Sequence, residues 1–239
     1  GDTLQGTPLA GFVARHPEVA ENTMSACMNA LRYEAVGLGN HDFDHGLHAL
    51  KRALAGYSMP VLSANTTCAG LPNLQMSAMI DRDIRCSDGQ SRTLRIGVTS
   101  VVPSQTMNWN RHHLTDHAEI TPPLPALTDR IAELREAGAQ LVIVLAHMGI
   151  ALYDEGKSPQ NQIRDVARVP GVDAVIGGHT HLKFPGADHA GIEGIDSHNG
   201  RIGKTPVVMP GASASHLGRI RLQLASGGDR HGEWSVTGA

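Results

Sequence analysis

The apolar positions of this chain alternate between helical spacing and short unbroken runs. Apolar residues recur three or four positions apart in several segments, which predicts helices at 24–31, 47–54, 124–134 and 163–167. Asn22 or Thr23 can cap the first helix, and Gly56 and Gly138 can end the second and third. Apolar and β-rich runs predict buried strands at 35–39, 59–65, 93–102, 140–145, 172–176 and 206–209. Alternation over 218–224 predicts an edge strand, and the long loop-like stretches are 103–122 and 183–205.

Strands separated by helices predict a layered α/β fold, with β-sheets flanked by helices. In such folds, functional side chains collect beyond the carboxyl ends of the strands. Several of the predicted strands run directly into polar residues beside glycine, namely Asn40 and His41, His147, and His179 and His181. Glycine lets a ligand or ion approach the backbone closely. A single histidine after a strand is usually an ordinary loop residue, but this repeated placement indicates a shared site.

Composition narrows the classes of partner. A chain of 239 residues with 41% hydrophobic content can bury a large core, and its length permits one or two domains. The net charge of −3 and the aromatic content of 3% give no reason to expect duplex nucleic acid as a partner. No apolar run has the length of a membrane span, and the sequence starting at Gly1 shows no signal-peptide pattern. We therefore expect neither a nucleic-acid partner nor a membrane partner.

The cysteines give little direction. Cys27, Cys68 and Cys86 lack the CxxC spacing of zinc and redox motifs. Cys68 and Cys86 could pair in an oxidising compartment, which would leave Cys27 unpaired. The 14 histidines matter more, because histidine is the commonest protein metal ligand and titrates near neutral pH.

Four sequence blocks, in order, carry a family resemblance: GDTLQG, GNHDFD, AHMG and GGHTH. Together they resemble the calcineurin-like metallophosphoesterases, and more narrowly the 5′-nucleotidase and cyclic-nucleotide phosphodiesterase branch. Within that branch, VVPSQTMNWN, PGVDAVIGGHTHLKFPG and TPVVMPGASASHLG are similar to the enzymes that convert 2′,3′-cyclic nucleotides to 3′-nucleotides and then to nucleosides and phosphate. The alternatives are a 5′-nucleotidase or UDP-sugar hydrolase, and a non-catalytic nucleotide- or metal-binding domain. The resemblance also implies a periplasmic or secreted location.

The resemblance assigns roles to residues of these blocks. Asp2 would bridge two divalent metal ions, drawn from Mn, Zn, Fe, Co and Mg. Asn40, His147 and His179 would complete one metal site, and His181 would bind the other ion. These side chains suit the task, since a carboxylate can bridge two cations while neutral imidazole and amide groups add ligands without charge.

The GNHDFD block would also supply the proton chemistry. By resemblance, His41 is the general acid for the leaving alkoxide, and Asp44 is the carboxylate that orients it. A carboxylate three residues further on can fold back across a tight turn and favour the imidazolium. Asp42 is expected to be a turn or supporting residue. Substrate-binding residues are not assigned. His112, His113 and His117 form a local cluster that could bind metal, but a polar loop of surface, capping or supporting residues is the preferred interpretation.

The chain departs from the family pattern at its start. The family carries an Asp-x-His block on a first strand upstream of the GD block, whereas this chain begins at the GD block. Asp196-Ser197-His198 follows no apolar strand, so its match to this block is interpreted as coincidence. We therefore expect residues 1–239 to be one catalytic domain that lacks its first strand and is truncated at both ends. A C-terminal substrate-binding domain is expected in the full-length protein.

Overall fold

The computed structural model describes residues 1–16, 23–71, 73–152, 160–226 and 234–238. Within these ranges the helices are α1 (Pro8–Arg15), α2 (Thr23–Ala30), α3 (Gly46–Ala55), α4 (Thr106–Trp109), α5 (Arg111–Leu114), α6 (Pro123–Glu136) and α7 (Ile163–Val166), with 3-10 turns at Asn40–Phe43 and Ala187–His189. The strands are β1 (Val36–Gly37), β2 (Val61–Leu62), β3 (Thr66–Cys68), β4 (Leu74–Gln75), β5 (Ser77–Arg85), β6 (Ser91–Val101), β7 (Ala118–Ile120), β8 (Leu141–Ala146), β9 (Ala174–Ile176), β10 (Lys183–Phe184), β11 (Ile195–Asp196), β12 (Arg201–Ile202), β13 (Thr205–Pro210), β14 (Gln223–Ser226) and β15 (Trp234–Gly238).

A mixed sheet organises most of the described strands. Its order is β11-β12-β13-β9-β8-β6-β5, with β10 also paired to β13. Strands β13, β9, β8 and β6 run parallel, while β5, β10, β11 and β12 join antiparallel. A second, parallel sheet has the order β1-β2-β4, and β3-β7 and β14-β15 form separate antiparallel pairs. The predicted α/β arrangement of sheets and helices is confirmed.

Apolar faces of the helices close two core regions over these sheets. On α6, Leu127 and Ile131 are buried against Val142 and Val175 of the parallel strands. The other core region packs α3 against the sheet that contains β1 and β2. Each fully buried aliphatic side chain contributes about 1.5–3 kcal/mol by leaving water. These two regions hold the carboxyl ends of β1, β8 and β9 in place.

The predicted helices are confirmed, although Asn22 lies outside the described residues. All six predicted buried strands form, some of them shorter than the apolar run. The strand predicted at 218–224 is wrong over most of its length, because residues 218–222 form no strand and β14 begins only at Gln223. The two predicted loops are also wrong, since 103–122 contains α4, α5 and β7, and 183–205 contains β10, β11, β12 and a 3-10 turn. These elements are all short, and β7 and β10 pair with β3 and β13 rather than with adjacent segments, so local periodicity does not signal them.

Two further findings concern membrane-spanning helices and the cysteines. None of the helices in the described ranges is long and apolar enough to cross a membrane. Cys68 and Cys86 are both free thiols, so the possible disulfide between them is not formed in this structure.

Candidate metal centre

The turn after β1 is built around the buried carboxylate of Asp42. Asp42 is 2% exposed, and its oxygens accept hydrogen bonds from the backbone N–H groups of Asp2, Thr3, Leu4 and Gly39 at 2.7–3.2 Å. The Thr3 hydroxyl donates a further bond of 3.1 Å. Because the N-terminal segment is about 40 residues away in sequence, Asp42 joins two separate parts of the chain. It therefore fixes Asp2 beside the GNHD turn.

Close packing at this junction explains the glycine before Asn40. A side-chain carbon added to Gly39 would lie 2.2 Å from Asp2 Oδ1, which no real structure tolerates. Asp2 itself has a φ of 58°, an uncommon backbone conformation for a non-glycine residue. Such strain is often found at functional sites.

The carboxylate of Asp2 contacts two other predicted site residues. Its Oδ1 accepts a 2.9 Å bond from the backbone N–H of His41, and its Oδ2 lies 2.9 Å from His147 Nε2. Burial alone would raise the pKa of Asp2, but the imidazole of His147 and the N–H of His41 lower that pKa to about 2. Asp2 is therefore ionised at neutral pH.

The predicted histidine ligands follow β8 and β9. His147 is 8% exposed, and burial lowers its pKa. The ring centroids of His147 and His179 are 5.3 Å apart. Burial, with the neighbouring His147, His41 and His181, lowers the pKa of His179 to about 4 despite the charge of Asp2. Both imidazoles are thus neutral at pH 7, the form that binds metal.

Two buried atoms that could bind a metal ion indicate that the space beside Asp2 suits a divalent ion. Among the described residues, the Oδ1 of Asn40, which is 4% exposed, has no hydrogen-bond partner, and His147 Nε2 lies 2.9 Å from Asp2 Oδ2 without hydrogen-bond geometry. Buried polar atoms without partners are rare because each costs about 1–3 kcal/mol. An amide oxygen, an imidazole nitrogen and a carboxylate are a suitable donor set for a divalent transition-metal ion.

The structure does not bring all predicted ligands together equally. His181 is exposed, with a φ of 63°. Among the described residues, no three His, Cys, Asp or Glu side chains are grouped closely enough to hold a metal ion. The contacts therefore support a site centred on Asp2 and His147, with His179 adjacent, and they leave the role of His181 a prediction.

His41 and Asp44 are paired across the 3-10 turn. His41 Nδ1 donates to Asp44 Oδ2 over 2.7 Å, and the His41 side chain is 43% exposed. Partial burial opposes the charged form of His41, but the bond to Asp44 and the charges of Asp2, Asp44 and Asp42 raise the His41 pKa above its usual value. The pair can thus present a proton on Nε2 to a bound molecule.

Comparison with known proteins identifies the family. The family model described as calcineurin-like phosphoesterase matches residues 1–183. The chain belongs to the calcineurin-like phosphoesterase family.

Members of this calcineurin-like phosphoesterase family match nearly the whole chain. The chain is 33% identical to the 2′,3′-cyclic-nucleotide 2′-phosphodiesterase/3′-nucleotidase of Yersinia enterocolitica, over 100% of the chain and 37% of that protein. It is 30% identical to the 5′-nucleotidase of Homo sapiens, over 96% of the chain and 38% of that protein. The crystal structure of calcineurin-like phosphoesterase YfkN from Bacillus subtilis matches 100% of the chain and 73% of that structure, with 27% identity and a TM-score of 0.86.

These findings confirm the family resemblance and the metallophosphoesterase fold. They also imply divalent metal ions, which calcineurin-like phosphoesterases use. The chain spans just over a third of the length of the curated relatives named here.

Sequence reasoning missed one part of this phosphoesterase site. His113 has no specific role predicted from the sequence, but it is half-buried and its Nε2 donates to the backbone oxygen of Asp44 over 3.1 Å. Trp109 stacks on His179, and Asn110 bonds to Asn40. The motif VVPSQTMNWN contains Trp109 and Asn110 and contributed to the resemblance, but it carried no signal for these contacts.

Proposed function

We propose that this chain carries the catalytic centre of an enzyme that hydrolyses nucleotide phosphoesters with two divalent metal ions. The preferred substrates are 2′,3′-cyclic nucleotides, which become 3′-nucleotides and then nucleosides and phosphate. The observation that carries the proposal is the placement of the ionised Asp2 against His147, beside the His41–Asp44 pair. The similarity to the Yersinia enterocolitica enzyme supports the choice of substrate.

In this proposal Asp2, Asn40, His147 and His179 hold one ion, and Asp2 with His181 contributes to the other. When bound, the ions supply an activated water-derived nucleophile and Lewis-acid stabilisation of phosphoryl oxygens. The protein's own task is to keep Asp2 ionised and both buried imidazoles neutral, so that each imidazole has one ring nitrogen with a free lone pair. The pKa directions of Asp2, His147 and His179 satisfy that requirement.

His41 performs the proton chemistry of the proposed reaction. Its Nε2 holds a proton and donates it to the ribose oxygen that leaves phosphorus, which is the 2′-oxygen in the first step and the 3′-oxygen in the second. Asp44 keeps the Nδ1 proton in place and stabilises the imidazolium. Each step adds one water across one P–O bond, so the same site can serve both steps.

The proposal includes segments beyond residues 1–239. By family resemblance, an upstream Asp-x-His block completes the second metal site, and a C-terminal domain helps to hold the nucleoside. The greater length of the relatives supports a further domain. A periplasmic or secreted location is part of the same proposal.

The test compares turnover of 2′,3′-cyclic AMP, 3′-AMP and 5′-AMP by the full-length protein with Mn²⁺. We expect hydrolysis of the first two substrates, with 3′-AMP appearing before adenosine. Exclusive hydrolysis of 5′-AMP would refute the substrate and favour a 5′-nucleotidase, the candidate that similarity to the Homo sapiens enzyme supports. Fewer than two metal ions per chain, with no phosphatase activity, would favour a non-catalytic binding domain.

A further inference from the structure

We propose that the segment from Thr106 to Leu114 is a brace that fixes the spacing of two metal ligands, with Trp109 as the positioning residue for His179. This inference rests on the proposed metal centre. It assigns a role to a stretch that the reaction described above does not use.

Two adjacent side chains connect the brace to two different ligand loops. The indole of Trp109 stacks on the imidazole of His179, with ring centroids 5.7 Å apart and planes inclined by 20°. Asn110 is 3% exposed, and its Nδ2 donates to the backbone oxygen of Asn40 over 3.1 Å. Since consecutive residues make these contacts, one short piece of backbone touches both the loop of His179 and the loop of Asn40.

The brace is anchored in the fold at both ends. Thr106 and Leu114 are both fully buried, at 0% exposure. Between them, His113 Nε2 donates to the backbone oxygen of Asp44 over 3.1 Å, which ties the brace to the predicted acid pair as well. A segment held at both ends and in its middle can transmit the rigidity of the core to the site.

His179 needs such support because its own backbone does not fix it. It has a φ of 69°, in the left-handed region that is unfavourable for a non-glycine residue, and it follows Gly177 and Gly178. Within the part of the chain that the structure describes, its Nε2 lies 3.2 Å from Gln160 Oε1. The edge of His147 touches one side of the imidazole, and the stacked indole of Trp109 restricts rotation of the ring plane.

The exposure of Trp109 is consistent with this role. Trp109 remains 43% exposed, so burial in the core does not explain its position. Substitution of a group that orients a metal ligand typically weakens metal binding by about 10- to 100-fold. We expect the loss of the indole to have an effect in this range.

The test measures Mn²⁺ binding to the purified full-length protein by isothermal titration calorimetry. W109A should bind Mn²⁺ at least about tenfold more weakly than the wild type, and W109F should recover most of the affinity because phenylalanine keeps a flat stacking face. The matched control is W234F, because Trp234 lies in β15 and bonds to Thr93 on another part of the molecule. W234F should bind Mn²⁺ with the same Kd as the wild type.

The outcomes separate this inference from the proposed function. Wild-type affinity in a folded W109A overturns the brace and leaves the metal centre intact. No Mn²⁺ binding by the wild type overturns both. If circular dichroism shows that W109A is unfolded, W109L decides in the same way, because leucine fills part of the volume without offering a flat face.

Discussion

The carboxylate of Asp42 offers the sharpest test of how the site is assembled. Its Oδ1 accepts from Thr3 N at 2.7 Å, Thr3 Oγ1 at 3.1 Å and Leu4 N at 3.2 Å, and its Oδ2 accepts from Asp2 N at 3.1 Å and Gly39 N at 2.8 Å. In Asp42→Asn, one oxygen becomes an NH₂ group that faces donors. Whichever way the new amide is turned, two backbone N–H groups lose their acceptor. At about 1–3 kcal/mol for each group, the free energy of unfolding should fall by about 2–6 kcal/mol.

The assay is urea unfolding followed by circular dichroism in the presence of EDTA, so that metal binding does not contribute. With a slope of about 3 kcal/mol per M, the unfolding midpoint of D42N should fall by about 0.7–2 M. The matched control is Asp129→Asn, which makes the same chemical change at an exposed position on α6. If D42N and D129N unfold at the same midpoint, the carboxylate does not hold the N-terminal segment as we argue.

Further predictions concern the acid pair, a buried phenol and a crowded glycine. His41→Ala should slow hydrolysis of 3′-AMP by about 10²–10⁴-fold and p-nitrophenyl phosphate far less, because p-nitrophenolate needs little protonation to leave. Asp44→Asn should move the alkaline fall of kcat/KM to lower pH, because the hydrogen bond that Asp44 accepts from His41 raises the pKa of His41. Burial raises the pKa of Tyr57 to about 12. The neutral phenol therefore stabilises the fold below about pH 10, and this contribution is lost as the pH rises towards about 12. Absorbance at about 295 nm should show a tyrosine that resists ionisation. Gly149→Ala should lower the melting temperature, since the added carbon would lie 2.2 Å from Thr180 Cγ2 and overpacking costs about 1–3 kcal/mol.

Each of these predictions has a control or a contradicting result. Equal losses of H41A on both substrates would argue against the acid role, and an unmoved alkaline limb in D44N would argue against the pairing. Tyr33→Phe removes an exposed phenol and should leave the resistant titration in place, whereas Tyr57→Phe should abolish it. Gly70→Ala adds a carbon with no atom of the described residues within 4 Å, so a loss of stability equal to that of G149A would contradict the steric explanation.

The sequence predicted the elements that depend on local periodicity. The spacing of Leu127, Ile131 and Leu134 placed the long helix α6, because a helical stripe faces the core whatever the rest of the fold does. The continuous run before His147 placed β8 for a similar reason. Alternation alone misplaced the strand near 218–224, because a strand also needs a neighbour with which to pair.

At the candidate metal centre, too, the sequence predicted some features and left others to the tertiary structure. Strand ends followed by polar residues predicted that Asn40, His147 and His179 share one edge of the fold, and His147 and His179 do lie together. The pairing of His41 with Asp44 spans three residues, so the sequence could also predict it. The roles of these residues as ligands and acid stay predictions.

The sequence by itself determined the family, the layered α/β class and the residues able to carry the chemistry, because ordered motifs and apolar periodicity are local properties. Only the tertiary structure decided which distant groups meet. Asp42 reaches the N-terminal segment, and Trp109 reaches His179, across separations that no local pattern records. Local spacing specifies which side chains a turn presents, whereas the packing of the two core regions specifies what each side chain touches.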